Sequence, residues 1–141
     1  MRVEQFSWEP AQGFTPPLEG ARCAAQWGLL FGSAEALERT DLATAIRTAY
    51  PAAIIMGCTT AGEIAGARVR EGTLVVTAIQ FDHTRVRASE VAVSTPDESF
   101  AAGEALSRAL VDDELAHVFV LSEGLLVNGS QLARGLRTVL P

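Results

Sequence analysis

Three short apolar runs, each bounded by breakers or polar residues, constrain the fold of this chain most strongly. They extend from Trp27 to Gly32, from Ala52 to Gly57 and from His117 to Ser122. A strand built from any of them would be apolar on both faces, which is typical of central parallel strands that are covered by helices. The runs therefore predict a sheet with helices packed against it.

Amphipathic segments between and after these runs predict helices. One begins at Asp41 and ends before Pro51, which cannot continue a helix. A second is capped by Thr95, with Glu98 at the position where a capping box has a carboxylate. A third is capped by Asn128. The order strand, helix, strand thus occurs twice, which is typical of βαβ units with parallel strands.

Longer alternating segments predict a second kind of strand pairing. Residues 72–81 and 84–93 are separated by Asp82 and His83, as by a hairpin turn. Residues 2–8 predict an edge strand. We therefore expect an α/β fold in which a mixed β-sheet combines parallel βαβ units with an antiparallel hairpin and carries flanking helices.

The chain length indicates one domain. With 141 residues, the chain is long enough to bury most of its apolar surface around a single core. In this alternating pattern another strand should follow the helix that Asn128 caps, but the sequence ends at Pro141. We therefore expect a single domain over residues 1–141 that is incomplete at its C-terminus.

Charge and composition argue against several classes of function. The net charge is −6, from 17 acidic and 11 basic residues, and the basic residues do not cluster, so we expect no nucleic-acid partner. No segment is apolar over the length needed to cross a bilayer, and the first residues lack the apolar region of a signal peptide. We expect a cytoplasmic protein without a membrane partner. Cys23 and Cys58 are far apart in the sequence, which argues against a disulfide framework or a zinc site.

The candidate ligand-binding residues follow the apolar runs. Ligands of open sheets bind outside the carboxyl ends of parallel strands, where loops converge. Backbone N–H groups, hydroxyls and a helix start at this position suit a small anionic or zwitterionic ligand, and Glu63 or Glu123 would meet an amine. The candidates are Gly57, Cys58, Thr59, Thr60, Gly62, Glu63, Ser122, Glu123, Asn128 and Ser130.

The segment GCTTAGEI, residues 57–64, has other interpretations. As a turn, it requires only that Gly57 and Gly62 permit positive φ. As a catalytic loop, it would use Cys58 as the nucleophile, but the predicted elements place His83 and His117 poorly for a general base. Haem could use Cys58 or either histidine as an axial ligand, and no spacing selects among them. We assign no catalytic residue and no metal ligand.

Three segments, AAIIMGCTTAGEI, GTLVVTAIQF and VFVLSEGLLVNGSQLARGL, resemble in that order the N-terminal domain of the FIST family. The family is named for F-box and intracellular signal transduction proteins. The resemblance covers most of the chain from about Trp27 onward, and GCTTAGEI is its most specific part. The family segment more often has Ser at Thr59 and Asp at Glu123.

The resemblance implies a cytoplasmic, non-enzymatic sensory domain of a signal transduction protein. Its ligand would be an amino acid or a similar small carboxylate, and a FIST C-terminal domain would follow in a longer chain. In bacteria, the expected partners are signalling proteins such as histidine kinases or chemotaxis receptors. Some relatives are haem-binding nitric oxide sensors, so a haem sensor is one alternative. A cysteine-dependent enzyme that uses Cys58 is another, and a purely structural interaction domain is the third.

Overall fold

The computed structural model describes residues 1–140. The chain forms two compact units, which are described separately. The first unit comprises Met1–Val86, and the second begins at Arg87.

The first unit is built around a mixed sheet. Its described residues form β1 (Arg2–Glu9), β2 (Gly13–Thr15), β3 (Trp27–Gly32), α1 (Ala34–Leu37), α2 (Thr40–Ala49), β4 (Ile54–Thr59), β5 (Glu63–Ala65), β6 (Arg68–Arg70) and β7 (Leu74–Gln80). Five strands form one sheet in the order β2-β1-β7-β3-β4, in which β3 and β4 are parallel and the other pairs are antiparallel. The antiparallel hairpin of β5 and β6 is separate. The predicted α/β class with a mixed sheet, a hairpin and helices is confirmed.

The predicted βαβ unit between the first two apolar runs is present. Trp27 is paired with Ile54 at one end of the parallel ladder, and Gly32 is paired with Thr59 at the other. Between these strands, α2 buries Leu42 and Ile46. This helix ends at Ala49, as the following Tyr50 and Pro51 require.

The core of the first unit follows the alternation of its strands. Phe6 and Trp8 are buried two positions apart on β1, and their register partners on β7 are Val76 and Leu74. Because residues two apart in a strand share a face, these side chains form one apolar layer. Other buried members of the same cluster include Leu18, Cys23, Ala25, Ala36, Leu42, Ile46, Tyr50 and Ala78.

The predicted hairpin of residues 72–81 and 84–93 is wrong. β7 forms as expected, but β1 pairs with one of its edges and β3 with the other, so β7 has no edge left for residues 84–93, which are not a strand. For the same reason β1 is an internal strand rather than the predicted edge strand. The hairpin of the protein is β5 and β6 instead, with Gly66 at φ 61° in its turn.

Two helices dominate the described part of the second unit, residues 87–140. They are α3 (Ser99–Leu110) and α4 (Gly129–Leu136). The capping box of Thr95 and Glu98 is present, and Pro96–Glu98 form one 3₁₀ turn before α3. A Cβ on Gly103 of α3 would lie 2.3 Å from the carbonyl oxygen of Leu132, and one on Gly135 of α4 would lie 2.1 Å from that of Phe100. The two helices therefore contact each other through their backbones.

The prediction of a central strand over His117–Ser122 is wrong. These residues adopt no regular secondary structure, and Phe119 and Val120 are 46% and 38% exposed. A strand needs a hydrogen-bonded neighbour, and the regular elements in the described part of the second unit are helical. The second βαβ unit that this run was expected to complete is therefore not formed.

Among residues 1–140, no helix has both the length and the apolar character that crossing a bilayer demands.

Candidate functional site

The loop after β4 is organised by the carboxylate of Glu63. This side chain is buried, with 2% of its surface exposed. One carboxylate oxygen accepts a hydrogen bond from Thr60 Oγ1 at 2.7 Å. The other accepts two from Thr73, from its main-chain N–H at 3.1 Å and from its hydroxyl at 2.7 Å. Three donors thus satisfy a charge that would otherwise be costly to bury.

These contacts decide the charge state of Glu63. Burial acts to raise its pKa, but the hydrogen bonds from Thr73 and Thr60 outweigh burial, so the pKa lies below its ordinary value. Glu63 is therefore an ionised internal group at neutral pH. Because only 2% of Glu63 is exposed, a ligand amine could reach its carboxylate only after the surrounding residues had moved.

Main-chain hydrogen bonds bring three strand ends together around Glu63. The Thr60 N–H donates to the Gly32 carbonyl oxygen at 2.9 Å, which joins the ends of β4 and β3. The Ser33 N–H donates to the Thr73 carbonyl oxygen at 3.0 Å, which joins the end of β3 to the residue before β7. The loop therefore has a fixed backbone with a carboxylate at its centre.

The other predicted site residues of this loop differ in exposure. Gly57 and Thr59 are exposed, whereas Cys58, Thr60 and Gly62 are half-buried. Neither Gly57 nor Gly62 has positive φ, so the turn interpretation that rested on this freedom is wrong. Gly57 is instead required by close packing, because a Cβ there would lie 2.0 Å from the Leu30 carbonyl oxygen.

Cys58 is the candidate nucleophile and lies on β4. Its side chain is half-buried on β4, and no hydrogen bond to it is found among residues 1–140. His83 is exposed in the first unit, and His117 is exposed in the second. Residues 1–140 also contain no cluster of three or more His, Cys, Asp or Glu side chains that could hold a metal ion.

The remaining predicted site residues lie in the second unit. Ser122 and Glu123 line a cleft of about 140 Å³. Most of the lining is aliphatic and comes from α3, α4 and the segments beside them: Val91, Val93, Ala102, Leu106, Val120, Leu121, Val127 and Leu132. The cleft is thus an apolar depression with a polar end formed by two adjacent residues.

Backbone amides hold the Glu123 carboxylate in place. The N–H of Leu125 donates to both carboxylate oxygens at 2.8 Å, and the N–H of Leu126 donates to one of them. The hydrogen bonds from Leu126 and Leu125 lower the pKa of Glu123, so the group is ionised at neutral pH. Its side chain is exposed, and a carboxylate has about four acceptor positions, so it retains capacity for a further donor.

Asn128 and Ser130 lie at the start of α4. The Asn128 side-chain oxygen accepts from the Gln131 N–H at 3.1 Å, which confirms its capping role. The Asn128 N–H donates to the buried Ser99 hydroxyl at 2.9 Å, which anchors the loop before α4 to the first turn of α3. Ser130 is exposed within α4.

The predicted site residues therefore form two groups in separate units. Gly57, Cys58, Thr59, Thr60, Gly62 and Glu63 belong to the first unit, and Ser122, Glu123, Asn128 and Ser130 belong to the second. The structure brings Thr60 and Glu63 into direct contact, and Ser122 and Glu123 share one cleft.

Two features of these sites were not predicted. Thr73, which supplies two of the three donors to Glu63, precedes β7 directly and was assigned only to a strand. Val91 and Val93 line the cleft but were assigned to a hairpin. The contact between Glu63 and Thr73 joins residues ten positions apart, and such a contact has no periodic signal in the sequence. Val91 and Val93 do have a signal, because their apolar character indicates that they pack against other residues.

A second polar cluster in the first unit, around the half-buried Glu4, also lacked a sequence signal. The Tyr50 hydroxyl donates to Glu4 at 2.8 Å, and the Arg22 N–H donates to both oxygens of the same carboxylate at 3.1 and 3.2 Å. Burial and the contact with Glu4 raise the pKa of Tyr50. Burial, together with Glu4, also raises the pKa of the Cys23 thiol, so this cysteine is not a reactive thiolate.

Comparison with known proteins gives a family match. The family model described as the FIST N domain matches residues 26–141. Neither the curated proteins nor the solved structures compared with the chain include a match.

Proposed function

This chain belongs to the FIST N domain family, which is associated with signal transduction, and we propose that it senses a small molecule that carries an amine and an apolar group. An apolar amino acid has this chemistry. The proposal includes a cytoplasmic location and no catalytic activity of its own. Its output would pass to a signalling protein such as a histidine kinase or a chemotaxis receptor, in a longer chain with a FIST C-terminal domain.

The cleft of the second unit is the observation that carries this proposal. Its volume of about 140 Å³ is close to that of an engineered apolar cavity of about 150 Å³ that binds benzene. A branched aliphatic or single-ring side chain fits this scale. A porphyrin is much larger than the cleft, which favours an amino acid over haem at this position.

The polar end of the cleft supports the choice of an amine. Glu123 is ionised and exposed beside Ser122, so an ammonium group that binds there would gain a charge-assisted hydrogen bond. The amides of Leu125 and Leu126 already fix the orientation of this carboxylate, so ligand binding would not have to order it.

In the first unit, the geometry favours a structural role for Glu63 and leaves Thr59 and Gly57 as the exposed candidates for contact. Ligand contact by this loop stays part of the proposal. Signal output requires that the ligand bind two conformations of the protein with different affinity.

Thermal unfolding with three related probes tests the proposal. L-leucine, isoamylamine, which lacks its carboxylate, and isocaproate, which lacks its amine, are each added to the chain. A ligand that binds only the folded protein raises Tm by mass action, with a stabilisation of about 2.7 kcal/mol at a hundredfold excess over Kd. We expect leucine and isoamylamine to raise Tm and isocaproate to have no effect.

Variants locate the effect in the cleft. Glu123→Gln removes the charge and should abolish the Tm shift, whereas Asp113→Asn, a change at an exposed acid of the same unit, should retain it. Val93→Phe should abolish the shift by filling the cleft. A shift that survives in Glu123→Gln would contradict the proposed site. A Soret band after addition of haem, without any response to leucine, would favour the haem sensor instead.

A further inference from the structure

One edge strand of the main sheet, β4, carries neither the prolines nor the charged side chains that normally protect an edge strand. β4 is the last strand in the order β2-β1-β7-β3-β4, and β3 pairs with one of its sides over all six residues. Its other side presents a row of backbone N–H and C=O groups to the outside of the sheet. Ile54, Ile55 and Met56 on this strand are half-buried.

The opposite edge of the sheet is different. β2 has three residues and is followed by Pro16 and Pro17, which have no N–H to donate to a further strand. By contrast, β4 is twice as long and contains no proline. No charged residue occurs between Thr48 and Gly62, in a chain of which 20% of residues are charged. Charged side chains and prolines are the usual means by which proteins prevent strand addition at an edge.

We propose that β4 pairs antiparallel with β4 of a second copy of this chain, about a two-fold axis that passes midway between the two copies of Met56. The two five-stranded sheets then become one continuous sheet. An isologous contact places the same strand on both sides, so a charge at the axis would lie opposite its own copy and a charge close to the axis would lie near its own copy. The absence of charge from Thr48 to Gly62 makes this edge compatible with itself.

The position of the axis follows from strand symmetry and side-chain size. Directly opposed residues share a face of the sheet, so one residue of β4 must lie directly opposite its own copy, with the axis midway between the two. With the axis at Met56, Ile55 lies opposite Gly57 of the second copy, and Ile54 lies opposite Cys58. Gly57 is exposed and has no side chain, so it offers Ile55 an uncovered backbone surface. An axis at Gly57 would oppose two glycines and bury no side chain at its centre.

Sedimentation equilibrium over a concentration series tests the association. The chain has a mass of 14.9 kDa, and the wild type should approach twice this mass as its concentration rises. Met56→Lys opposes two ammonium groups at the axis and should stay monomeric, whereas Met56→Leu should dimerise. Thr15→Lys places the same charge on the opposite edge and should also dimerise. A wild type that is monomeric throughout, or a Met56→Lys variant that associates equally well, would overturn the proposal.

Cross-linking provides a second test that does not depend on how well Met56→Lys folds. In a Cys58→Ser background, Met56→Cys places two thiols opposite each other at a Cα separation of about 5 Å, which suits a disulfide. In the same background, Ile54→Cys places the Cα atoms of the two introduced cysteines about 14 Å apart, because these residues are offset by four positions along the paired strands. Oxidation should link the Met56→Cys variant into a dimer and leave the Ile54→Cys variant monomeric. Equal linkage of both, or of neither, would overturn the proposed pairing.

Discussion

Glu63 accepts two hydrogen bonds from Thr73, at 3.1 Å from its main-chain N–H and at 2.7 Å from its hydroxyl, although only 2% of Glu63 is exposed. The contact joins β5 to the start of β7 across the hairpin of β5 and β6. Because of this contact, the loop that contains GCTTAGEI is a fixed part of the first unit and not a free surface turn.

Glu63→Gln should destabilise the first unit by about 2 kcal/mol, since hydrogen bonds to a buried charged group contribute about this much. The amide retains the shape of the carboxylate but directs an N–H₂ group at donors from Thr60 or Thr73. Glu71→Gln, at an exposed residue of the same segment, is the matched control and should change stability little. Urea unfolding measures both, and equal effects of the two changes would contradict the role of Glu63.

Stability should depend on pH in the acid range through Glu63. Its pKa in the folded protein is lowered, so it contributes stability above the ordinary pKa of a glutamate, about 4.3. This contribution is lost as the pH falls through the folded-state pKa. The free energy of unfolding of the wild type should therefore decrease below about pH 4.3, and the decrease should be smaller in Glu63→Gln. An identical pH profile for both proteins would be evidence against this linkage.

Tyr50→Phe should lower the stability of the first unit by about 1 kcal/mol, because it removes one hydrogen-bond donor and keeps the ring. Glu4 loses its 2.8 Å contact with the hydroxyl but retains the Arg22 N–H. A double-mutant cycle with Glu4→Gln isolates the pair. If the two changes are additive, Tyr50 and Glu4 do not interact energetically.

Gly103→Ala should destabilise the pair of α3 and α4 by about 1 to 3 kcal/mol, as is typical when an atom is forced into a filled space. The new Cβ would lie 2.3 Å from the Leu132 carbonyl oxygen, so the backbones must separate. Gly129→Ala is the control, because nothing lies within 4 Å of a Cβ at that position. Far-UV circular dichroism during heating compares them, and we expect a loss of stability in Gly103→Ala but not in Gly129→Ala.

The parts of the fold that the sequence predicts are those with a local signal. The βαβ unit from Trp27 to Thr59 has two apolar runs and an amphipathic helix that ends at a proline, and the helix caps at Thr95 and Asn128 have specific residue types. The pairing partners of strands have no such signal. Residues 84–93 alternate like a strand, but β1 already occupies the edge of β7 that they would need.

The sequence predicts which residue types form the candidate site, but it predicts only some of the contacts between them. The sequence does indicate Thr60, Glu63, Ser122 and Glu123 as a set of polar groups at loop positions. Whether a carboxylate faces solvent or the interior depends on residues distant in the chain. Glu63 is buried by its contact with Thr73, whereas Glu123 accepts from neighbouring amides and stays exposed.

The internal position of β1 affects the order in which the first unit can fold. Arg2 pairs with Gln80, so most of β1 has no partner until β7 has been made, and the short β2 pairs earlier with residues 7–9 alone. Closing so long a loop costs chain entropy before any pairing compensates for it, and such non-local pairing slows folding. During synthesis, Phe6 and Trp8 must remain without their core neighbours on β7 until nearly the whole of the first unit has left the ribosome.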